Sequence, residues 1–322
     1  MKPSIRYPLF DWLRLFLALE VACWHFLREP TQGRVFMFIP AVPAFLALSG
    51  FVVMQSWETS DDAWHFWWKR LLRIQPAMLV MLAVTAIAFG SAYAVGTIRT
   101  YFTFGMAPRV GNGVVWTLGC EEVAYALMAL IYACDGYKRP WFIAALLAIC
   151  AAIALSLDVH LEAAYRAVPG PRFFIQNYAE LGVAFFTGNL IYLNREKLMA
   201  LARRRWIISV TLLYPLAWNT FGYGHPATTF ASLVSMPLVI LWGLGGNAGR
   251  IPGDLSYGIY LLHVPVGRAA LRVSRLFGTG SEGFLVALSL LLTVIAACGS
   301  WIFVERPCLK FKDKMPLRKK WR

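Results

Sequence analysis

Charged residues are scarce in this chain of 322 residues: Asp, Glu, Lys and Arg together make up 15% of it, against 59% for hydrophobic residues. That profile lies outside the range of ordinary soluble domains. The scarcity of charge leaves apolar runs near the ~20-residue length that crosses a bilayer, and these runs recur along the whole chain. We therefore predict an all-α, polytopic integral membrane protein.

About ten such runs are present, and nothing between them resembles a soluble domain or a low-complexity linker. The sequence predicts one transmembrane domain over residues 1–322, with no appended soluble domain. The approximate cores of the runs are Leu9 to Leu27, Val35 to Trp57, Ile74 to Val95, Val114 to Ala133, Trp141 to Leu157, Phe173 to Leu193, Trp206 to Phe221, Ala227 to Leu244, Leu255 to Val273 and Gly283 to Val304.

Several site signatures are also missing. The six cysteines include no C-x-x-C pair, so we interpret them as small apolar residues rather than as metal ligands or a disulfide framework. There is no G-x-S-x-G elbow, zinc cluster or phosphate-cradling glycine loop. The first apolar run is too long for a signal peptide, so we expect it to stay in the mature protein. The missing G-x-S-x-G elbow argues against a serine hydrolase, and the missing zinc cluster argues against a zinc enzyme.

The net charge of +14 is unevenly distributed. With ten spans and a cytoplasmic N-terminus, 21 of the 31 lysines and arginines fall on the cytoplasmic side and 9 on the outer side. This asymmetry follows the positive-inside rule and places both termini in the cytoplasm. It also favours contact of the basic C-terminal tail with anionic lipid over contact with nucleic acid.

The first run carries ionisable residues that are costly in lipid and are therefore candidates for function. His25 follows Arg14 by eleven positions, which in a helix puts the two residues on one face about 16 Å apart along the axis. Asp11 joins that face and is expected to pair with Arg14. Glu20 is turned away from it, and we expect a structural role there.

A second cluster lies in the fourth run, where Glu121 and Tyr125 share a helix face at i and i+4. In the predicted topology Glu121 lies at about the depth of His25. A carboxylate beside an imidazole can form the base and orienting pair that acyl transfer to a hydroxyl requires. The alternative is a buried Glu121 that only bonds to a neighbouring helix.

A third cluster lies just before the third run. Arg70 and Arg73 are at i and i+3 on one helix face, near the inner end that also holds Arg14. Together they predict a cationic mouth suited to phosphate groups, because arginine offers forked donors and keeps its charge. The alternative is positive-inside charge with no ligand.

These elements, in this order, resemble the acyltransferase 3 family of polytopic membrane enzymes, which transfer acyl groups from acyl-CoA to hydroxyls of glycans and other acceptors. The resemblance runs from Phe10 to Pro307. The matching motifs are "FDWLRLFLALEVACWHF" with Arg14 and His25, "FLALSGFVV" with Ser49 and Gly50, "KRLLRIQP" with Arg70, Arg73 and Pro76, "WTLGCEEVAY" with Trp116, Glu121, Glu122 and Tyr125, "LSYGIYLLH" from Leu255 to His263, and "ERP" at Glu305 to Pro307. Thr117 departs from the usual serine, and Val123 and Ala124 replace bulkier residues.

The resemblance implies an acyl-CoA-dependent O-acyltransferase of the cell membrane, with acetyl-CoA as the expected co-substrate and no permanently bound cofactor or metal. Arg14, Arg70 and Arg73 would bind the donor phosphates, and His25, oriented by Glu121, would deprotonate the acceptor hydroxyl. Direct transfer and an acyl relay both remain open. Further residues are expected to line the pocket: Ser49, Trp116, Glu122, Tyr125, Ser256, Tyr260 and His263.

Two rival functions come from other classes. A transporter of a glycan precursor or acylated solute would also carry intramembrane charges, but no inverted repeat or pair of interrupted spans is visible. A catalytically inactive scaffold is disfavoured by the presence of both Arg14 and His25.

Overall fold

The computed structural model describes residues 6–27, 37–106, 111–159, 170–204, 206–246, 248–251, 253–276, 281–312 and 314. No strand occurs in these ranges, in agreement with the predicted all-α fold. The helices are α1 (Pro8–Phe26), α2 (Ala41–Glu58), α3 (Ala63–Phe89), α4 (Ser91–Phe102), α5 (Trp116–Ala133), α6 (Pro140–Ser156), α7 (Pro171–Leu193), α8 (Arg195–Ala202), α9 (Trp206–Thr211), α10 (Leu213–Phe221), α11 (Pro226–Gly245), α12 (Ser256–Leu276), α13 (Glu282–Ser300) and α14 (Arg306–Leu309).

Within the described ranges, five helical stretches are long and apolar enough to cross a membrane. They are α2, α3, α11, the stretch Gly113–Ala133 that contains α5, and the stretch Glu282–Leu309 that joins α13 to α14 through a π-helical turn. The chain is thus a helical membrane protein, while the count of ten spans stays a prediction. Helix α1 is not among the five because Asp11, Arg14 and Glu20 lie within it.

The seventh predicted span, Trp206 to Phe221, is wrong as a continuous helix. It consists of the short helices α9 and α10, which meet at Leu212. Pro215 lies in the first turn of α10 and has no N–H to donate to the carbonyl of Thr211. The hydroxyl of Ser235 on α11 donates to that carbonyl instead, at 3.5 Å. The break at Leu212 thus lies one turn before a proline that cannot donate to the preceding turn.

Helix α3 differs from the prediction at both ends. The third predicted run begins at Ile74, whereas helix α3 begins at Ala63 and continues through Pro76. The side chain of Asp62 caps the helix start by accepting from the backbone N–H of His65 at 2.7 Å. The helix ends at Gly90, whose φ of 91° reverses the chain before α4, so the span stops short of Val95.

Helices α2 and α7 approach each other closely because glycines lie at their contact. A Cβ on Gly50 would stand 2.1 Å from the carbonyl oxygen of Phe185, and one on Gly188 would stand 2.0 Å from that of Ala47. The side-chain amide of Asn189 donates to the Gly50 carbonyl at 2.7 Å. Small residues allow this backbone contact, which is a common way to pack helices in membranes. Gly50 thus fixes the position of its neighbour in the sequence, Ser49.

The C-terminal turn of α1 packs against α12. A Cβ on Gly267 would lie 2.3 Å from the ring of Phe26, so the helices are in close contact there. Glu20, on another face of α1, accepts the backbone N–H groups of Phe38 at 2.5 Å and of Ile39 at 3.3 Å. This contact fixes the chain that leads into α2 and agrees with the structural role expected for Glu20.

Candidate active site

A polar cavity of about 170 Å³ lies where α1, α2, α3, α5 and α12 meet. Its walls contain three arginines and two carboxylates, together with several hydroxyl groups. Most of the residues that the sequence predicted for the site are brought together here. The polar lining consists of Arg14, Ser49, Arg70, Arg73, Thr117, Glu121, Tyr125, Asp254, Ser256, Tyr257 and Tyr260. We call this space the arginine cavity.

Asp254 pairs with two of the three arginines. Its Oδ2 lies 3.1 Å from Nη1 of Arg14 and also pairs with Nη2 of Arg73. Its Oδ1 accepts the hydroxyl of Ser256 at 2.5 Å. Burial on its own would raise the pKa of Asp254, but the charges of Arg14 and Arg73 outweigh burial and hold this pKa well below its ordinary value. Asp254 is therefore ionised at neutral pH.

Sequence reasoning missed Asp254 and assigned the wrong partner to Arg14. Asp11, the predicted partner, pairs with Arg6 at 2.6 Å instead. The signal that could have found Asp254 is an acidic residue directly before the "LSYGIYLLH" motif, at the start of a helix that carries the pocket residues Ser256 and Tyr260. A helix N-terminus favours negative charge.

Arg70 has no carboxylate partner among the described residues. Its Nη2 donates to the hydroxyl of Ser56 at 3.0 Å, and its guanidinium lies 5.9 Å from the centre of the Phe66 ring. The buried Nε of Arg70 has no hydrogen-bond acceptor in the described part of the chain. Charged donors are rarely left unpaired in a protein interior. Arg70 is thus the guanidinium of the cavity with capacity for an incoming anion.

Glu121 is held by two hydroxyl groups. Ser49 on α2 donates to its Oε1, and so does Tyr125, one turn further along α5, at 2.5 Å. The two hydroxyl oxygens lie 3.2 Å apart. The sequence-predicted residues Ser49, Glu121 and Tyr125 therefore form one cluster in the wall of the arginine cavity.

Glu122 and Trp116 do not line the arginine cavity. Glu122 accepts the hydroxyl of Tyr101 on α4 and the amide of Gln75 on α3 at 3.4 Å. The ring of Trp116 lies among aromatic side chains, 6.0 Å from the ring of Tyr178. Adjacent helical residues point about 100° apart, so Glu121 and Glu122 face different neighbours.

Thr117 keeps the hydroxyl that the family's serine would supply. Its Oγ1 donates to the carbonyl of Val114 at 2.9 Å and lies 2.8 Å from the hydroxyl of Tyr260. This contact joins the start of α5 to α12. The departure from serine thus preserves a hydrogen-bonding group in the cavity wall.

His25 lines a different pocket, of about 230 Å³, together with Arg268, Ser289 and apolar residues of α1, α12 and α13. Its Nδ1 lies 2.8 Å from the carbonyl oxygen of Val21. A carbonyl only accepts, so Nδ1 carries the hydrogen and Nε2 carries the lone pair. The structure does not bring His25 and Glu121 together, because Glu121 lies in the arginine cavity. We call the space around His25 the histidine pocket.

His263 links the two spaces. It is fully buried, and its ring lies 4.9 Å from the ring of His25 and 6.1 Å from that of Tyr260. Tyr260 lines the arginine cavity, whereas His25 lines the histidine pocket. The rings of Tyr260, His263 and His25 therefore lead from the arginine cavity to the histidine pocket.

Comparison with known proteins supports one family. The sequence model described as "Acyltransferase domain" matches residues 7–305. Nodulation protein 10 of Rhizobium leguminosarum bv. viciae is 26% identical, with 96% of this chain and 95% of that protein covered. Acyltransferase MdmB of Streptomyces mycarofaciens is 24% identical, with 95% of this chain and 92% of that protein covered. The O-acetyl transferase of Shigella phage Sf6 is 24% identical, with 92% of this chain and 94% of that protein covered.

No solved structure matches this chain. The family model covers nearly the whole sequence, including the motif residues that form the arginine cavity and the histidine pocket. The chain therefore belongs to the acyltransferase 3 family and is an acyl-transferring enzyme.

Proposed function

We propose that this enzyme is a membrane O-acyltransferase that moves an acyl group, most simply acetyl, from acyl-CoA to a hydroxyl of a carbohydrate or related acceptor. The observation that carries this proposal is the arginine cavity, in which Arg70 has no carboxylate partner among the described residues. A relative named O-acetyl transferase supports acetyl as the group transferred.

The arginine cavity supplies the donor site. Arg70 would bind a phosphate of CoA. Arg14 and Arg73, which pair with Asp254, would also attract further phosphates of the donor. Guanidinium groups suit this task because they donate in a fork and stay charged. Ser49 and Tyr125, which hold Glu121, form the polar wall beside which the donor arm would pass.

The histidine pocket supplies the acceptor side. The hydroxyl of the acceptor would lose its proton to Nε2 of His25 as its oxygen attacks the thioester carbon. The carbon–sulfur bond then breaks, and CoA leaves as a thiolate that takes up a proton. General-base removal of the hydroxyl proton avoids an alkoxide in solution. In this proposal Glu121 belongs to the donor cavity, since Ser49 and Tyr125 engage its carboxylate.

For the protein in its membrane we propose ten spans with both termini in the cytoplasm, in a multi-pass protein of the cell membrane. The support is the distribution of lysine and arginine along the chain. Arg14 lies near the start of α1 and His25 in its last turn. Donor phosphates would then enter from the cytoplasm, and the acceptor would reach His25 near the opposite side.

The test uses the full-length protein, purified and placed in lipid nanodiscs, with acetyl-CoA as the donor. We expect saturable binding of acetyl-CoA and release of CoA when a hydroxyl acceptor is present. Arg70→Met should weaken donor binding by about 1.5–3 kcal/mol, the usual loss for a charged hydrogen bond. Arg99→Met changes an exposed arginine outside both spaces and serves as the matched control.

Equal donor affinity in the Arg70 and Arg99 variants would remove Arg70 from the donor site. Failure of the wild-type protein to release CoA from acetyl-CoA or longer acyl-CoA donors, with any hydroxyl acceptor tested, would contradict the proposed reaction. Mass spectrometry of surface glycans, from cells with and without the gene, identifies the acceptor.

A further inference from the structure

We infer that the acceptor of this enzyme is an anionic hydroxyl compound, and that Arg268 binds its carboxylate or phosphate group in the pocket that also holds His25. The inference rests on the proposed function and deepens it by naming the chemical class of the acceptor. It is carried by the lining of the histidine pocket, which contains the Arg268 guanidinium and, among the described residues, no carboxylate.

The histidine pocket has three polar side chains in its lining. They are His25 on α1, Arg268 on α12 and Ser289 on α13, and the other lining residues are apolar or glycine. A few polar groups set in apolar walls are the usual form of a small-molecule site. The volume of about 230 Å³ lies below the roughly 300–1,000 Å³ of sites for drug-sized ligands. The pocket is therefore suited to the reacting end of an acceptor rather than to a whole glycan.

A close helix contact sets Arg268 near His25. A Cβ on Gly267 would lie 2.3 Å from the ring of Phe26, which leaves α1 and α12 in direct contact at this point. Gly267 directly precedes Arg268, and Phe26 directly follows His25. Both functional residues therefore start from the same helix contact, and both line the same pocket. An acceptor held there would meet the guanidinium and the imidazole together.

Arg268 has no carboxylate partner among the described residues. The central carbon of its guanidinium lies 5.2 Å from the centre of the Tyr93 ring on α4. An aromatic face attracts the cation, but the N–H groups at the edge of the guanidinium plane are not consumed by that contact. The Tyr93 ring thus places a guanidinium whose forked donors can bind a carboxylate or a phosphate.

Arg272, one turn further along α12, has a different environment. Its guanidinium lies 4.4 Å from the centre of the Phe89 ring, and its Nη1 donates to the carbonyl of Ala88 at 3.0 Å. It does not line the histidine pocket. Arg272 therefore ties α12 to the end of α3, and Arg268 is the arginine of this pair that an acceptor would meet. The two residues share a helix and an aromatic contact, so Arg272 provides a matched control.

The position of Arg268 in the proposed topology supports a functional role. Arg268 lies in the second half of α12, near the outer end of the ninth predicted span. Lysine and arginine are less common at the outer ends of spans than at the cytoplasmic ends, and charged groups within spans generally mark functional paths. The alternative is contact of Arg268 with an anionic lipid headgroup. The shared pocket with His25 favours the acceptor.

The test uses the full-length protein in phosphatidylcholine nanodiscs and three sugar probes that differ only at carbon 6. Methyl glucoside is neutral, its 6-phosphate carries a phosphate, and methyl glucuronide carries a carboxylate, so the two anionic probes distinguish the possible groups. Wild type is compared with Arg268→Met, Arg268→Lys and the control Arg272→Met. Saturation-transfer NMR titrations measure binding of each probe, and CoA release from acetyl-CoA is measured with each probe as acceptor.

We expect wild type to bind at least one anionic probe about 10-fold more tightly than methyl glucoside, which is the lower end of the usual loss for a charged hydrogen bond. Arg268→Met should lose this difference, and Arg268→Lys should keep part of it, because lysine retains the charge but not the fork. Arg272→Met should resemble wild type. Acetyl-CoA binding should be unchanged in every variant and verifies folding, since Arg268 lies outside the arginine cavity.

Equal binding of the neutral and anionic probes by wild type would overturn the inference, as would equal losses in the Arg268→Met and Arg272→Met variants. If Arg268→Met changes only the stability of the protein in nanodiscs that contain phosphatidylglycerol, Arg268 contacts a headgroup and the inference fails. If CoA is released with neutral acceptors as efficiently as with anionic ones, the inference fails and the proposed function stands. If the anionic probes bind through Arg268 but no acceptor releases CoA, the proposed reaction fails and the anion site stands.

Discussion

Arg14 on α1 and Asp254, in the segment before α12, form an ion pair of 3.1 Å in the wall of the arginine cavity, and Arg73 pairs with the same carboxylate oxygen. One carboxylate thus joins three parts of the chain that are distant in sequence. The side chains of this cluster are 16–23% exposed, so solvent screens the interaction only in part. Asp254 thus joins these segments and offsets part of the positive charge of the arginine cavity.

The first prediction is that Asp254→Asn lowers the stability of the protein by about 1.5–3 kcal/mol at neutral pH, because two guanidinium groups lose a charged hydrogen-bond acceptor. Thermal unfolding in nanodiscs measures the change. Asp135→Asn, which removes an exposed carboxylate paired with Lys138, is the control and should have little effect. Equal stability of wild type and Asp254→Asn would contradict a structural role for the ion pair.

The second prediction concerns pH. The pKa of Asp254 is depressed in the folded protein, so its contribution to stability is complete above the ordinary pKa of aspartate, about 3.9, and is lost as pH falls through the depressed value. The difference in stability between wild type and Asp254→Asn should therefore stay constant from about pH 8 to pH 5 and shrink below about pH 4. A difference that grows on acidification would be inconsistent with this assignment.

The third prediction is that His25→Ala lowers the rate of acyl transfer by about 10²- to 10⁴-fold, the usual cost of removing a general base. Acetyl-CoA binding should be unchanged, since His25 lies outside the arginine cavity. Added imidazole should restore part of the rate, because the histidine pocket then has space for it. A fully active His25→Ala enzyme would show that this histidine is not the base.

The fourth prediction separates two roles for Glu121. If Glu121 acts in the arginine cavity and independently of His25, the rate losses of Glu121→Gln and His25→Ala should multiply in the double variant. If it orients His25, the double variant should be little worse than His25→Ala alone. We expect multiplication, with Glu121→Gln changing KM for acetyl-CoA as well as kcat, because Ser49 and Tyr125 rather than His25 hold this carboxylate.

The fifth prediction places both termini in the cytoplasm. A reporter that is active only in the cytoplasm should give signal when fused at residue 322, and a reporter active only outside should not. The reason is the excess of lysine and arginine on one side of the ten predicted spans. The opposite pattern of activity would overturn the topology and, with it, the cytoplasmic entry of the donor.

The sequence predicts well what depends on a single helix. The spacing of Arg70 and Arg73, and of Glu121 and Tyr125, follows from helical periodicity, and in each case both members line the arginine cavity. The strongly apolar runs are likewise found as helices. Two of them are interrupted: Gly90 ends α3 before Val95, and the break at Leu212 lies just before Pro215, which has no N–H to donate to the carbonyl of Thr211.

Pairing between helices is harder to predict, because it depends on how each helix is rotated about its axis. A change of one residue turns a side chain by about 100°, which is why Glu121 faces the cavity and Glu122 faces Tyr101. Equal depth in the membrane suggested that His25 meets Glu121, but the His25 ring lies beside His263. Asp254 was missed because it lies outside every predicted span.

The contact between Gly50 and the backbone of Phe185 lies directly beside Ser49 in the wall of the arginine cavity. Because the contact of Gly50 is with main-chain atoms, no rotamer change can relieve it. The backbone at Ser49 therefore cannot move toward α7 to make room for a bulkier acyl group. Selection for new acyl groups by directed evolution should therefore leave positions 50 and 188 as glycine. Altered chain-length preference should instead accumulate at the cavity-lining side chains of α12, Tyr257 and Tyr260.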